Sequence, residues 1–232
     1  MNSNNEKDTK SLILIPVFNE KGRLKNTIKN CFEYFQNILI IDDGSSDNSI
    51  KDALDSEAKY ILRHQFNCGQ GMSISTGIEF FLKHTRFDFL ITFDADGQHQ
   101  AIDAINMLDF AVSNNFDVVI GSRFLKKESI EEIPLRRRIL LNTAIYFERF
   151  FYKIQLTDSN NGLRVLSRKA CKELTNLNSS QMAHATEIAH VLSKSSLLIK
   201  EYPVSISYKN KKKTGQNLFS SLNIISDLIQ KK

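Results

Sequence analysis

Short apolar runs alternate with amphipathic stretches through the first half of the chain. A short continuous apolar run is typical of a strand buried on both faces, whereas apolar positions three to four residues apart indicate a helix. Their alternation predicts an α/β fold, with a mostly parallel sheet flanked by helices and right-handed crossovers. The predicted strands are Ser11–Val17, Ile38–Ile41, Tyr60–Arg63, Asp88–Phe93 and Phe116–Ile120, and the predicted helices are Gly22–Phe35, Asp47–Ser56, Gly69–His84 and Ala101–Ser113.

The second half of the chain has longer helical patterns and fewer continuous apolar runs. Leu135–Ile154 predicts a long helix with a broad aromatic and aliphatic stripe, and Leu218–Ile229 predicts a last helix with a similar stripe. Further strands are predicted at Gly162–Leu166 and Leu197–Tyr208, and further helices at Arg168–Leu174 and Met182–Leu192. Because no repeat or linker divides these elements, we expect a single domain over residues 11–230, behind a disordered tail over residues 1–10.

Composition narrows the class of protein. The 232 residues are 41% hydrophobic and 25% charged, a balance that is ordinary for a globular domain and excludes a disulfide scaffold. Cys31, Cys68 and Cys171 are widely separated, have no metal-ligand spacing and are odd in number, which indicates a reducing compartment. A polar start, and the lack of any run of about 18 apolar residues, predict a cytoplasmic protein that is soluble or lies on a membrane.

The net charge of +5 is distributed unevenly. Three arginines occupy residues 136–138, and four lysines lie within residues 209–213. Nucleic acid, anionic lipid and phosphorylated substrates are all partners that suit such clusters. A solvated surface is the alternative interpretation of each cluster taken by itself.

Polar side chains follow four of the predicted strands at the point where each strand ends. Ligands of open parallel sheets bind beyond the carboxyl ends of the strands, so these segments should converge along one edge. The four segments are Pro16-Val17-Phe18-Asn19-Glu20, Asp42-Asp43-Gly44-Ser45, Asp94-Ala95-Asp96-Gly97-Gln98-His99 and Gly121-Ser122-Arg123-Phe124.

Asp94 and Asp96 are the candidate metal ligands. Residues two apart in an extended segment point to the same side, so the two carboxylates offer hard oxygen ligands to one Mg²⁺ or Mn²⁺ ion. Gln98, two residues further on, can add an amide oxygen. The alternative is an ordinary turn rich in Asp and Gly.

Asp42 and Asp43 form a second carboxylate pair after another strand. A carboxylate at this position can accept the ring N–H of a uracil or guanine base. Capping of the next helix is the alternative, and it accounts for Asp47. The segment 67–71 opens a helix after a strand, where backbone N–H groups can approach a phosphate.

Further segments complete a series that runs in order over nearly the whole chain. They are Asn67-Cys68-Gly69-Gln70-Gly71, Asp158-Ser159-Asn160-Asn161-Gly162-Leu163-Arg164, Glu187, and Glu201-Tyr202-Pro203-Val204 before Tyr208. Together with the four strand ends, they make the chain resemble the inverting family-2 glycosyltransferases of GT-A fold. The similarity is strongest to the dolichyl-phosphate-mannose-synthase-like branch and to bacterial polyprenyl-phosphate sugar transferases.

The resemblance implies a single-domain GT-A fold and a role for each matching residue. It implies a nucleotide-sugar-binding half over residues 11–124 and an acceptor-side half, with an amphipathic carboxyl-terminal helix, over residues 125–230. The implied nucleotide site comprises Pro16, Phe18, Glu20, Asp43, Gln70 and Asp94, and the implied metal ligands are Asp94, Asp96 and Gln98. The implied catalytic residues are Asp94, Asp96, Arg123 and Glu187, and the implied acceptor-phosphate residues are Arg123, Arg137, Arg138 and Lys213.

The implied reaction is a single displacement at the anomeric carbon of a nucleoside-diphosphate sugar, within cell-surface polysaccharide synthesis. A lipid-linked phosphate acceptor is already anionic and needs no general base. A hydroxyl of a nascent glycan is the alternative acceptor, and it needs a base, for which Glu187 is the candidate. A structural pairing of Glu187 with a nearby cation is equally compatible with the sequence.

Two other functions fit the sequence less well. A sugar-1-phosphate nucleotidyltransferase should carry a loop rich in glycine and lysine after the first strand, whereas this chain has Phe18-Asn19-Glu20. A nucleic-acid-binding module should interleave aromatic residues with a basic sheet, whereas the basic residues here fall in loops and helix ends. We therefore expect no nucleic-acid partner.

The apolar stripes of Leu135–Ile154 and Leu218–Ile229 lie next to the two basic clusters. Basic residues that flank an apolar helix face are typical of a helix lying in a membrane interface, and each contributes roughly 1 kcal/mol near anionic lipid. We therefore expect peripheral docking on the inner face of a membrane. A small membrane-protein partner, or packing of both stripes against the sheet, are the alternatives.

Overall fold

The structure is a computed structural model. It describes residues 10–126, 130, 135, 138, 142–143, 145–146, 149–150, 155–158, 160–175, 177 and 184–207. The predicted helix Leu218–Ile229, most of the predicted helix Leu135–Ile154 and nearly all of the predicted tail lie outside these residues.

Strands and helices alternate along the described chain, as the apolar pattern predicts. The strands are β1 (Ser11–Val17), β2 (Ile38–Asp42), β3 (Tyr60–Arg63), β4 (Phe89–Thr92), β5 (Val118–Ser122), β6 (Arg164–Ser167) and β7 (Ile199–Pro203). The helices are α1 (Leu24–Phe32), α2 (Ser49–Leu54), α3 (Gln70–His84), α4 (Ala101–Ser113), α5 (Arg168–Glu173) and α6 (His184–Lys194), with a 3₁₀ turn at Arg123–Leu125.

The described strands form one seven-stranded sheet in the order β3-β2-β1-β4-β6-β5-β7. All neighbouring pairs are parallel except those of β6, which runs antiparallel to both β4 and β5. The carboxyl ends of β1, β2, β4 and β5 therefore meet at one edge, and the chain that enters β6 arrives at that same edge. The mostly parallel sheet flanked by helices is confirmed.

Most predicted boundaries differ from the observed ones by one to five residues, and three of the differences border the site. The first helix begins at Leu24 rather than Gly22, because Gly22 has a φ of 77°, outside the right-handed helical region. Strand β6 begins at Arg164 rather than Gly162. Strand β7 ends at Pro203 rather than Tyr208, because the chain beyond it turns to the segment after β4, where the Ser207 N–H donates to the Gln98 carbonyl.

The core has two layers, one on each face of the sheet. Successive side chains of β1 alternate between them: Ile13 and Ile15 pack with α1 and α4, whereas Leu12 and Leu14 pack with α3, α5 and α6. Burial on both faces explains why the central strands read as unbroken apolar runs. Gly77 lets α3 approach closely, since a Cβ atom there would overlap the methyl groups of Leu14.

A partly buried cluster of carbonyl groups at the end of α3 is held by one side chain from α5. The Arg168 guanidinium donates to the carbonyls of Phe81, Leu82, Thr85 and Phe87 at 2.7–3.1 Å. It also stacks 4.6 Å from the centroid of the Phe81 ring. A cation here satisfies carbonyls that a helix end leaves unpaired and complements the helix dipole, so Arg168 ties α3 to the second half of the chain.

We predict that Arg168→Met lowers the free energy of unfolding by about 2–4 kcal/mol, because four partly buried carbonyls lose a charged donor. Arg168→Lys should recover only part of this loss, since an ammonium group cannot reproduce the planar fork. Chemical denaturation followed by circular dichroism measures both.

The adjacent Lys169 is the matched control. Its side chain is exposed and makes a 3.3 Å ion pair with Asp117, so Lys169→Met should change stability by less than about 0.5 kcal/mol. Equal losses in Arg168→Met and Lys169→Met would contradict the role of Arg168.

Candidate active site

A cleft of about 690 Å³ lies at the edge where the strand ends meet. Its walls come from the segments after β1, β2, β4 and β5, from the start of α3 and from the chain that enters β6. Nine sequence-predicted site residues line it: Pro16, Phe18, Glu20, Asp43, Gln70, Asp94, Asp96, Gln98 and Arg123. The expected convergence of the strand ends is therefore observed.

Asp43 lies at one end of the cleft and is almost completely buried. Its carboxylate accepts hydrogen bonds from the backbone N–H groups of Cys68 (2.9 Å) and Gly69 (2.7 Å). His64 Nδ1 lies 2.7 Å from Asp43 Oδ1. The loop after β3 therefore wraps the carboxylate of Asp43. This close approach requires glycine at position 44, since a Cβ there would lie 2.6 Å from the Phe66 backbone.

The loops after β1 and β2 are bound to each other. Asn19 adopts a φ of 56°, and its side-chain oxygen accepts from the backbone N–H groups of Ser46 (2.9 Å) and Asp47 (3.3 Å). The Asn19 N–H donates to Ser45 Oγ at 3.0 Å, and the Glu20 N–H donates to Ser49 Oγ at 2.7 Å. Asparagine tolerates this left-handed backbone, and the resulting contacts fix the wall that carries Phe18 and Glu20.

Asp94 occupies the middle of the cleft. One of its carboxylate oxygens accepts from Gln70 Nε2 at 3.0 Å, and the other lies 3.1 Å from His99 Nε2. Asp96 is two residues away and accepts from both the backbone N–H and the side-chain amide of Gln98. The predicted metal ligands Asp94, Asp96 and Gln98 thus form one polar cluster.

The two carboxylates of this cluster differ in proton affinity. Burial acts to raise the pKa of Asp94, but the hydrogen bond and charge of His99 and the charges of Arg164 and His184 outweigh it, so this pKa lies below its usual value. Burial and the negative charge of Asp94 raise the pKa of Asp96. The surroundings therefore favour the ionised form of Asp94 and disfavour the ionised form of Asp96.

The chain that enters β6 packs directly on Asp94. The Thr92 hydroxyl donates to the Gly162 carbonyl at 2.6 Å, and a Cβ atom at Gly162 would overlap the Asp94 carboxylate. Only glycine permits this approach. Arg164 is buried just beyond, and with His184 of α6 it places positive charge near Asp94. The sequence pattern assigned no role to His184, because a histidine on a helix gives no signal that its helix packs beside this carboxylate.

Arg123 lies at the far end of the cleft and is held by a buried carboxylate. Its backbone N–H (3.0 Å) and its Nε (2.6 Å) both donate to Asp158 Oδ2. Glu201 of β7 in turn accepts from the backbone N–H groups of Thr157 (2.8 Å) and Asp158 (3.0 Å). Burial raises the pKa of Glu201, while the hydrogen bonds from Thr157 and Asp158 act in the opposite direction. This chain of contacts from β7 positions Arg123.

Four predicted residues are not placed in the cleft. Glu187 lies in the first turn of α6 and does not line the cleft, and Arg138 is exposed. Arg137 and Lys213 lie outside the described residues. No helix in the described part of the chain is both long enough and apolar enough to cross a membrane.

A known protein family matches this chain over the segments that build most of the cleft. The model of glycosyl transferase family 2 matches residues 12–175, which include both carboxylate pairs and Arg123. An uncharacterised protein of Methanocaldococcus jannaschii is 32% identical, covering 95% of this chain and 91% of that protein. A UDP-N-acetylglucosamine–dolichyl-phosphate N-acetylglucosaminyltransferase of Methanococcus voltae is 29% identical over 84% of this chain and 85% of its own length.

A polyprenol monophosphomannose synthase of Mycolicibacterium smegmatis is 27% identical over 71% of this chain and 64% of its own. Two solved structures share the fold. Mannosyl-3-phosphoglycerate synthase from Rubrobacter xylanophilus aligns with a TM-score of 0.70 at 17% identity, over 98% of this chain and 74% of that one. Glucosyl-3-phosphoglycerate synthase from Mycobacterium tuberculosis, in complex with Mn²⁺ and UDP-glucose, aligns with a TM-score of 0.66 at 14% identity, over 98% and 82%.

The fold is the GT-A fold of these enzymes, which confirms the architecture expected from the sequence. The family match covers well over half of the chain, and it contains the strand ends that build the cleft. The chain therefore belongs to glycosyl transferase family 2 and is a glycosyltransferase.

Proposed function

We propose that the enzyme transfers a sugar from a nucleoside-diphosphate sugar to a polyprenyl phosphate or another lipid-linked phosphate, with inversion at the anomeric carbon and with Mg²⁺ or Mn²⁺. The observation that carries this proposal is that one cleft is lined by Asp43, by the Asp94 and Asp96 pair and by Arg123, which follow β2, β4 and β5 in that order across the sheet. The names of the Methanococcus and Mycolicibacterium relatives support the acceptor class. The Mn²⁺ and UDP-glucose complex of the Mycobacterium enzyme supports the donor and cofactor.

The donor's base is assigned to the Asp43 end of the cleft. The loop 66–69 holds the Asp43 carboxylate rigidly, so the side chain meets a base N–H without reorganising. Gln70 is the first residue of α3, and its side-chain amide donates a hydrogen bond to Asp94. The start of a helix favours the negative charge of the donor's diphosphate.

The residues present fit a divalent cation. Asp94, Asp96 and Gln98 offer three oxygen donors in one cluster, which is the donor set that Mg²⁺ and Mn²⁺ prefer. The raised pKa of Asp96, caused by burial and by Asp94, shows that negative charge is under-compensated there. Because Gly162 has no side chain, the Asp94 carboxylate can occupy its position in this cluster. When bound, the ion would neutralise the charge that grows on the leaving diphosphate.

Arg123 is assigned to the acceptor phosphate. Its Nε is committed to Asp158, so the guanidinium plane is fixed at the acceptor end of the cleft. A fixed guanidinium fork suits phosphate oxygens. A phosphate acceptor brings its own nucleophilic oxygen, and no general base is then required. The position of Glu187 outside the cleft lining is in accord with a reaction that has no carboxylate base.

We assign the reaction to the cytoplasm, at the inner face of the membrane, since a lipid-linked acceptor must be met at a lipid surface. The predicted helices that would dock there lie mostly or wholly outside the described residues. Leu135, Tyr146 and Phe150, which are described, expose 71–80% of their surface. Peripheral docking, directly or through a small membrane protein, stays a prediction.

Asp96→Asn should abolish metal-dependent binding of a nucleoside diphosphate, with at least about a 100-fold loss of affinity, because one charged ligand is removed. Calorimetric titration of UDP and GDP, with Mn²⁺ and with chelator, measures this. With the matching nucleotide sugar, the wild-type enzyme should glycosylate undecaprenyl phosphate and leave undecaprenol unmodified.

Asp55→Asn is the control, since Asp55 is an exposed carboxylate at the end of α2. It should behave as wild type in both assays. Equal nucleotide affinity with metal and with chelator would overturn the metal assignment. Equal transfer to the phosphorylated and unphosphorylated lipid would overturn the acceptor assignment.

Gly162→Ala should also weaken Mn²⁺-dependent nucleotide binding, by about tenfold or more, because the new methyl group displaces the Asp94 carboxylate. Gly121→Ala is the matched control. It crowds the Val204 side chain at 3.1 Å and the Leu163 carbonyl at 3.2 Å, with no contact to Asp94. Wild-type nucleotide affinity in a folded Gly162→Ala protein would show that this contact does not set the position of Asp94.

The stability of the metal-free protein should depend on pH through Glu20. Burial raises the pKa of Glu20 to about 7 against the opposing charge of Arg23. The negative charges of Asp96, Asp47 and Asp94 add to the rise. The folded state thus favours protonated Glu20, and the stability that this contributes is present below pH 4.5 and lost as the pH rises through about 7.

In chelator, Glu20→Gln should therefore match wild type near about pH 4 and exceed it by up to about 3 kcal/mol near about pH 8. Mn²⁺ should shrink the difference, because a cation on Asp94 and Asp96 lowers the pKa of Glu20. The control is Glu79→Gln: a hydrogen bond and ion pair with Lys83 lower the pKa of Glu79, so any pH dependence has the opposite sign. A constant difference between Glu20→Gln and wild type from acid to base would contradict the prediction.

A further inference from the structure

We infer that Asp43, His64 and Cys68 form a second metal site, specific for Zn²⁺ and similar thiol-binding ions, at the base end of the cleft. One ligand atom from each of these residues lies within 4.8 Å of the other two. This cluster is separate from Asp94, Asp96 and Gln98, and its chemistry is different. The sequence spacing of the cysteines gave no indication of it, because the other two ligands are not cysteines.

The donor set selects the ion. A thiolate, an imidazole nitrogen and one carboxylate oxygen are the ligands of Zn²⁺ sites, whereas Mg²⁺ and Mn²⁺ prefer sites made of oxygen alone. A tetrahedral zinc centre with ligand bonds of about 2.0–2.3 Å holds its ligand atoms roughly 3.4 Å apart. The three atoms already lie within 4.8 Å, so small side-chain rotations bring them onto one ion. The fourth position is left for water.

Two backbone constraints hold the ligands together. His64 follows β3, and Cys68 lies four residues later in the loop that wraps Asp43. The Cys68 and Gly69 N–H groups both bond the Asp43 carboxylate, so the thiol cannot move far from it. Gly44 packs tightly against the Phe66 backbone, which restrains the same loop. The site is therefore organised before any ion arrives.

The outer partner of His64 also suits a metal ligand. His64 Nε2 lies 3.0 Å from the Thr76 hydroxyl of α3, while Nδ1 faces Asp43. Histidines that bind metals generally hold their second ring nitrogen in a hydrogen bond, which fixes the tautomer and the ring orientation. With zinc on Nδ1, the Nε2–H donates to Thr76 Oγ1. In the metal-free protein, a hydroxyl that can donate or accept serves the other tautomer.

Access distinguishes Cys68 from the other two cysteines. Cys31 and Cys171 are buried in the core, and burial raises the pKa of both thiols. Cys68 is only partly buried, on the loop at the cleft. Of the three thiols, it is the one within reach of a metal ion from solution.

The site has a consequence that rests on the proposed function. If Asp43 recognises the donor's base, an ion held by Asp43 competes with the nucleotide. Zinc would then inhibit the enzyme at a point distinct from the site of the activating Mg²⁺ or Mn²⁺. The binding of zinc itself does not depend on that function.

Titration with Co²⁺ as a spectroscopic substitute for Zn²⁺ tests the site. We expect a thiolate-to-cobalt charge-transfer band that saturates at one equivalent and is removed by Zn²⁺. The band should be absent in Cys68→Ser. In His64→Gln, the apparent affinity for Co²⁺ should fall at least about 100-fold. In Thr76→Val, that affinity should fall about tenfold, the usual effect of losing an outer hydrogen-bond partner.

Two variants are matched controls. Cys171→Ala removes a buried thiol, and Asp96→Asn removes a ligand of the other cluster, so both should keep the band. Thermal melts of all variants establish that they are folded. No band in the wild-type protein, or an unchanged band in folded Cys68→Ser, would overturn the site.

Competition separates this inference from the proposed function. UDP or GDP, whichever binds with Mg²⁺, should displace Co²⁺ from the thiolate site and lower the band. If the nucleotide binds without affecting the band, zinc does not compete at the base end and that consequence is wrong. If neither nucleotide binds, the proposed function fails, while the cobalt spectrum and its variants still decide the metal site.

Discussion

The contact between Gly162 and the Asp94 carboxylate is the constraint on which the rest of the cleft depends. It exists because β6 runs against its neighbours, so that the chain entering β6 passes over the carboxyl end of β4. The same reversal brings the charge of Arg164 close enough to lower the pKa of Asp94. Without this reversal, the chain that enters β6 would not lie against Asp94.

The charges around this contact are unevenly balanced. His99, Arg164 and His184 hold Asp94 ionised, whereas Asp96 is left with burial and a like charge beside it. His99 and Arg23 also act on Asp96, but there they do not outweigh burial and the charge of Asp94, so the pKa of Asp94 is lowered and that of Asp96 is raised. Such an arrangement costs stability in the metal-free protein, and a bound cation would relieve that cost.

The two ends of the cleft are built by the same device, a buried carboxylate that holds neighbouring chain in place. At one end Asp43 gathers the N–H groups of Cys68 and Gly69, and at the other Asp158 holds Arg123 while Glu201 holds Asp158. Rigid walls of this kind reduce the ordering that substrates must impose when they bind.

The sequence by itself determined the alternation of strands and helices, the segments at the strand ends and the family. These features depend on local periodicity and on residues close together in the chain, such as Asp94, Asp96 and Gln98. Only the tertiary structure decided which distant residues meet. The antiparallel pairing of β6, the approach of His184 to Asp94, and the approach of the loop 64–68 to Asp43 all arise from packing between segments distant in sequence. A linear pattern carries no signal for such contacts, because it records which face of an element is apolar and not which neighbour that face will meet.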